Sequence, residues 1–200
     1  MREEVVKLIE KNKVIAIVRG ANPEQAVKVA KAIYDGGVKL IEVTFNQKNP
    51  NTFKDTVTAI KEIKKNCPKM CVGAGTVLTK EQVDLAKDAG AEYIVSPDTD
   101  EEVIKYTVKS GLVSLPGAYT PSEAKKAYNA GADFVKLFPC SDPKYLKALV
   151  APLSHVKFIA VGGVNVENAK DFIKAGAVGI GVGSALINSK YLECTDYLIF

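Results

Sequence analysis

Short apolar runs alternate along the chain with longer stretches in which apolar residues recur every three or four positions. The first run, Val14-Ile15-Ala16-Ile17-Val18, is β-branched and closes on Arg19-Gly20. Others follow at residues 39–45, 70–73, 93–96, 113–115, 134–138, 157–161 and 179–182. Runs this short and apolar, bounded by turn residues, predict strands buried on both faces in a parallel sheet. The intervening stretches predict amphipathic helices. Asn22 and Pro23 suit the N-cap and first position of one of them, Ala26, Val29, Ala30 and Ile33 form its apolar stripe, and Gly36-Gly37 closes it. Later helical patterns end in breaks such as Asp88-Ala89-Gly90-Ala91, Ala130-Gly131-Ala132 and Ala175-Gly176-Ala177.

Eight such strand–helix units in a row predict an α/β protein folded as a single (β/α)8 TIM barrel, not an open doubly wound sheet. Val5, Val6, Leu8 and Ile9, set among charges in residues 2–12, predict an extra N-terminal helix. No Gly-x-Gly-x-x-Gly follows the first strand, which argues against a dinucleotide-binding fold. Without a linker or low-complexity stretch, residues 1–200 read as a single domain. Pro116 is expected to end the fifth strand. The last unit is short: residues 188–200 fit a helix that stops on Tyr197-Leu198-Ile199-Phe200, so either that end packs against the barrel or another subunit, or the chain is truncated.

Composition narrows the function. The 200 residues are 47% hydrophobic and 25% charged, ordinary for a globular chain. The 27 basic and 23 acidic residues are interspersed, with no basic tract interleaved with aromatics, so no nucleic-acid partner is expected; the net charge of +4 weakly favours an anionic small substrate. No apolar run approaches a membrane span, and Met1-Arg2-Glu3-Glu4 lacks a signal-peptide core, so no membrane partner and a cytoplasmic location are expected. Cys67, Cys71, Cys140 and Cys194 contain no Cys-x-x-Cys and read as reduced thiols. With His155 the single histidine, the expectation is no metal and no cofactor.

Two charges break the apolar runs. In Phe134-Val135-Lys136-Leu137-Phe138-Pro139, Lys136 either snorkels out or pairs with a carboxylate, or it is a desolvated amine, neutral enough to act as a nucleophile. In Leu40-Ile41-Glu42-Val43-Thr44-Phe45, Glu42 is the second breach. Together they form either a buried salt bridge or an amine with its proton shuttle. Barrel chemistry sits at the carboxyl ends of strands. Arg19 there is a surface residue or a carboxylate clamp. Val72-Gly73-Ala74-Gly75-Thr76 offers backbone access and a hydroxyl, while Pro97 and Pro116 shape a rim or stop strands. Gly162-Gly163 and Gly183-Ser184 stand after the last two strands, where barrels commonly bind phosphate.

Ile41-Glu42-Val43-Thr44, Val72-Gly73-Ala74-Gly75-Thr76-Val77, Val95-Ser96-Pro97, Leu115-Pro116-Gly117, the Lys136 run and Val161-Gly162-Gly163-Val164 together resemble the motif set of the 2-keto-3-deoxy-6-phosphogluconate (KDPG) / 4-hydroxy-2-oxoglutarate (KHG) aldolases. The resemblance implies a class I, metal-independent aldolase, usually homotrimeric, that takes a phosphorylated 2-keto acid and yields pyruvate and glyceraldehyde 3-phosphate. By the family pattern Lys136 forms the Schiff base and Glu42 shuttles protons. Thr76 and its neighbouring backbone hold the pyruvyl carboxylate, Pro97 and Phe138 shape the pocket, and Gly162, Gly163, Gly183 and Ser184 bind the phosphate. Two substrate-contacting positions depart from the phosphogluconate type: Asn46 stands in place of an arginine and Val161 in place of a threonine. At both, and in Ile17-Val18-Arg19-Gly20, the chain is similar to the sister aldolases for the galactonate epimer, with Arg19 replacing the missing arginine. Two rival readings are another phosphate-binding barrel, of the isomerase or thiamine-phosphate-synthase type, and a non-catalytic sugar-phosphate binding protein.

Overall fold

All eight apolar runs are strands in the computed structural model, which describes residues 2–187. In chain order they are β1 (Val14–Val18), β2 (Leu40–Thr44), β3 (Cys71–Gly75), β4 (Tyr93–Val95), β5 (Val113–Leu115), β6 (Gly117–Ala118), β7 (Val135–Leu137), β8 (Phe158–Val161) and β9 (Gly179–Val182). Every pairing is parallel, in the order β5-β4-β3-β2-β1-β9-β8-β7-β6. The fifth strand ends at Leu115, as expected of Pro116, and a ninth strand opens directly after that proline. Proline has no N–H and so leaves the ladder, but its carbonyl still accepts from the Lys136 N–H at 2.9 Å. The strand resumes as β6, now paired to β7. One residue therefore joins the two ends of the sheet into a (β/α)8 barrel. β3 also extends past its predicted end, through Ala74 and Gly75, two residue types that carry no strand signal.

Eight α-helices alternate with the strands among the described residues: α1 (Arg2–Asn12), α2 (Pro23–Asp35), α3 (Phe53–Asn66), α4 (Lys80–Asp88), α5 (Glu101–Lys109), α6 (Pro121–Asn129), α7 (Pro143–Val150) and α8 (Ala169–Lys174). Their starts are written in the sequence. Asn22 with Gln25, and Thr120 with Glu123, form capping boxes, and Thr79, Asp100 and Asp142 cap α4, α5 and α7. The helix expected after the last strand lies in residues 188–200, outside the described residues, as does Cys194.

Strand side chains alternate between two environments. Ala16, Val18, Ile41, Val43, Val72, Ala74 and Ile94 face the helices in one cluster that ends near Leu112. Val135, Leu137, Phe158, Ala160, Ile180 and Val182 do so in a second, beginning at Ile104. The opposite parity fills the lumen: Ile15, Leu40, Cys71, Tyr93, Val113, Phe134 and Ile159 pack with Val5 and Ile9 of α1. The extra helix thus plugs the end where the strands begin, and the Arg2 guanidinium holds it there through Asp133, at 2.9 and 3.1 Å. The Tyr93 hydroxyl, the polar group of the largest buried side chain, donates to the Ile41 carbonyl at 2.6 Å. With one end filled, the strands' carboxyl ends are the open mouth.

Candidate active site

Lumen parity delivers both charged residues to that mouth. Lys136 stands two residues beyond Phe134 and Glu42 two beyond Leu40, so each repeats its predecessor's inward direction one layer higher. Lys136 is 8% and Glu42 5% exposed, and both line a cavity of about 670 Å³. Around them stand Arg19, Thr76, Pro97, Phe138, Val161, Gly162, Gly163, Gly183 and Ser184. Eleven of the twelve residues singled out from the sequence therefore converge on one cavity. Ile17, Val164, Asn165, Gly181 and Ala185 also line it. Ile17 and Gly181 carried a readable signal, since each lies two residues before a chosen residue on the same strand face.

Asn46 is the exception. Lumen parity on β2 runs Leu40, Glu42, Thr44, and Asn46 would continue it, but the strand ends at Thr44. A turn follows in which the Asn46 side chain accepts from the Lys48 N–H at 3.1 Å and its carbonyl from the Asn49 N–H at 3.1 Å. Asn46 instead lines a separate depression of about 180 Å³ with Thr44, Thr52 and Asp55. Asn46 is thus the one residue of the twelve that does not line the larger cavity. Arg19 continues the β1 parity of Ile15 and Ile17 and reaches the cavity, where its Nη2 donates to the Thr76 hydroxyl at 3.5 Å.

Lys136 and Glu42 are not in ion-pair contact: no salt bridge within 4.0 Å joins them among the described residues. The Lys136 Nζ lies 5.1 Å from the centre of the Phe138 ring. Burial pushes the amine below the ordinary lysine range. The Glu42 carboxylate opposes this, the Arg19 guanidinium adds to it, and Asp98 opposes it again. Burial pushes the Glu42 carboxyl above its ordinary range, against the pull of Lys136 and then Arg19. An amine biased towards neutrality and a carboxyl biased towards protonation share one cavity without neutralising each other. Such a pair can exchange protons with a third molecule between them.

The glycines around them make room or take a special backbone. A methyl group on Gly75 would overlap the Glu42 carboxylate. Gly75→Ala is therefore expected to displace that carboxylate and lower kcat by about 10²-fold, with a smaller change in melting temperature, measured by steady-state kinetics and thermal unfolding. Gly162 and Gly163 sit consecutively at φ +103° and +73° beside the cavity, backbone that favours glycine. Neither amide donates to a backbone carbonyl of the described residues.

Among the described residues no group of three or more His, Cys, Asp or Glu side chains could hold a metal ion, and His155 packs edge-on against Tyr128, its ring centre 4.7 Å away. Cys67, Cys71 and Cys140 are buried free thiols, and burial raises that of Cys140 to about 11. No helix of the described residues is long and apolar enough to cross a membrane.

Comparison with known proteins adds an independent line. Residues 5–199 match the family model described as "Aldolase: KDPG and KHG aldolase". The 2-dehydro-3-deoxy-6-phosphogalactonate aldolase of Escherichia coli (strain K12) is 40% identical over 175 residues, 86% of this chain and 83% of its own length. A native KDPGal structure superposes with a TM-score of 0.80 at 39% identity, covering 88% of this chain and 84% of that one. The KDPG aldolase of Legionella pneumophila, solved with pyruvate captured as a covalent carbinolamine, gives a TM-score of 0.83 at 26% identity, covering 94% and 90%.

Proposed function

Because the chain belongs to the KDPG and KHG aldolase family, we propose that it is a class I aldolase using Lys136 as the Schiff-base nucleophile and Glu42 as the proton shuttle. The observation that carries this assignment is the buried lysine whose amine shares a cavity with a buried carboxylate without pairing to it. The neutral Lys136 amine adds to the C2 ketone of a 2-keto acid, and loss of water with uptake of one proton from solvent gives a protonated imine, the proton being released again on hydrolysis. Glu42 takes the proton of the C4 hydroxyl, the C3–C4 pair flows into the imine, and an aldehyde leaves. Glu42 then returns a proton to C3 of the enamine, and hydrolysis frees pyruvate and the amine.

Substrate orientation follows from two groups of cavity residues. Arg19 and the Thr76 hydroxyl, hydrogen-bonded to each other, are both suited to the pyruvyl carboxylate. Gly162, Gly163, Gly183 and Ser184, after β8 and β9, are suited to hold a phosphate through backbone amides and a hydroxyl. Pro97 and Phe138 wall the space between. The substrate is thus a phosphorylated 2-keto acid cleaved to pyruvate and glyceraldehyde 3-phosphate, with 4-hydroxy-2-oxoglutarate, which lacks the phosphate, as the smaller alternative.

Val161 bears on the epimer. It faces the cavity opposite Gly181 in the β8–β9 register and offers a substrate hydroxyl no hydrogen bond. This favours the galactonate epimer, in line with relatives of that name at 39–40% identity, against 25–34% for those named for phosphogluconate or KHG/KDPG substrates. Measured side by side, pyruvate release is expected to be faster from the galactonate epimer, and Val161→Thr is expected to shift the ratio towards the gluconate epimer by about tenfold. An unchanged ratio would remove Val161 from the specificity assignment. Borohydride reduction with pyruvate is expected to leave a pyruvyl adduct on Lys136; an adduct on another lysine, or loss of activity in EDTA, would overturn the mechanism. A homotrimer is the assembly proposed, in keeping with a similar structure that is a designed cage of fused symmetric oligomeric domains; light scattering tests it.

A further inference from the structure

We propose that Gln47 and Gln82, neither of which lines the cavity, form an amide relay that positions Thr76 for the substrate carboxylate. The inference rests on the reading of Thr76 as a carboxylate holder given above.

Thr76 stands at the wrong parity for its task. On β3 the inward residues are Cys71, Gly73 and Gly75, so an extended residue 76 would point its side chain towards the helices. It reaches the cavity because its φ is +57°. Left-handed backbone is unfavourable for a β-branched residue and persists only where the surroundings enforce it. Several bonds enforce it here. The Gly75 carbonyl accepts from the Phe45 N–H at 2.9 Å, and the Val77 N–H donates to the Val95 carbonyl at 3.2 Å. The carbonyl of Thr76 itself points away from the ladder and accepts from the Gln47 Nε2 at 2.6 Å.

The direction of that last bond is set one step further out. Gln82, on α4 and 3% exposed, accepts the Leu78 N–H on its Oε1 at 2.7 Å. A backbone N–H can only donate, so this contact fixes which end of the Gln82 amide is oxygen. Its Nε2 must then face Gln47, whose Oε1 accepts it at 3.1 Å. The Gln47 amide is oriented in turn, with its NH2 left facing the Thr76 carbonyl. One half-buried backbone donor thus polarises two amides, and the chain of bonds ends on the strained residue. At the other side of Thr76, the hydroxyl that the φ of +57° turns inward receives the Arg19 bond at 3.5 Å.

The relay acts on carboxylate binding and not on imine chemistry, which separates its failure from failure of the aldolase reading. Gln47→Glu keeps the shape and the acceptor towards Gln82 but cannot, when ionised, donate to the Thr76 carbonyl; Gln47→Met and Gln82→Met remove the relay without adding charge. The readout is borohydride-trapped adduct on Lys136 as a function of carbonyl concentration, with pyruvate and, separately, acetaldehyde, which has no carboxylate. In the unsubstituted protein both carbonyls should form the adduct; its absence would mean that the aldolase reading has failed. In the variants, half-saturation by pyruvate is expected to rise between about ten- and a hundred-fold while acetaldehyde trapping stays unchanged. The double variant Gln47→Met/Gln82→Met should be no worse than Gln47→Met alone, because the two residues act in series. Unchanged pyruvate dependence, or an equal loss with both carbonyls, would overturn the inference.

Discussion

Lys136→Met is expected to abolish aldol cleavage, by on the order of 10⁵-fold in kcat/KM, and at the same time to make the protein more stable. The first effect follows from the covalent step: without an amine there is no imine and no electron sink for the C3–C4 bond. The second follows from the site's geometry. The Lys136 ammonium is buried and has no salt-bridge partner within 4.0 Å among the described residues. An unpaired buried charge costs free energy. Methionine fills nearly the same volume without that cost, so a gain of about 1 kcal/mol is expected by thermal or urea unfolding. Sustained turnover in this variant would favour a phosphate-binding barrel of the isomerase or thiamine-phosphate-synthase type. A marked loss of stability would mean that Lys136 and Glu42 had formed a structural pair.

Glu42→Gln is expected to lower kcat by about 10²–10⁴-fold, the range for a positioned acid–base group, while leaving the borohydride adduct on Lys136. The two substitutions thus separate carbon–nitrogen from carbon–carbon chemistry. The wild-type rate should rise with pH through an acid limb lying above the ordinary carboxylate range, because burial raises the Glu42 pKa and the base form is required. That limb should be missing from the glutamine variant. Stability carries the same signature with opposite sign. A carboxyl whose folded pKa is raised holds its proton more tightly when folded, so its contribution is fully present below the unfolded pKa and is lost as pH rises through the folded value. The variant should lack that loss. If the acid limb persists in Glu42→Gln, it belongs to another group.

The barrel was legible because its signals are local and repeated. Apolar runs, capping residues and Gly breaks recur along the chain, and their number alone selects closure over an open sheet. Most of the cavity was legible for a related reason. Strand parity carries Glu42, Lys136, Phe138, Val161 and Gly183 inward once the strands are placed. Parity stops being a guide where the chain leaves the strand. Asn46 has the parity of a cavity residue and loses it to a turn two residues past the end of β2. Thr76 has the wrong parity and regains the cavity through a left-handed backbone. Gln47 and Gln82 are 35 residues apart and meet only in three dimensions, and polar residues in helix-and-loop sequence carry no pattern that announces the contact. Pro116 ends β5 as expected, but its missing N–H closes one ladder without preventing the neighbouring one, which opens as β6.

The single residue that joins β5 to β6 also divides the chemistry. Everything before Pro116 belongs to the half that supplies Arg19, Glu42, Thr76 and Pro97 to the cavity, among them the groups proposed to grip the carboxylate and move protons. Everything after it supplies Lys136, Phe138, Val161 and the glycines proposed to hold the phosphate. The outer packing splits near the same place, into one cluster ending near Leu112 and another beginning at Ile104. Neither half holds a working set. Catalysis is thus a property of the joined ring, and turnover serves as a gauge of whether the two half-rings have come together in register.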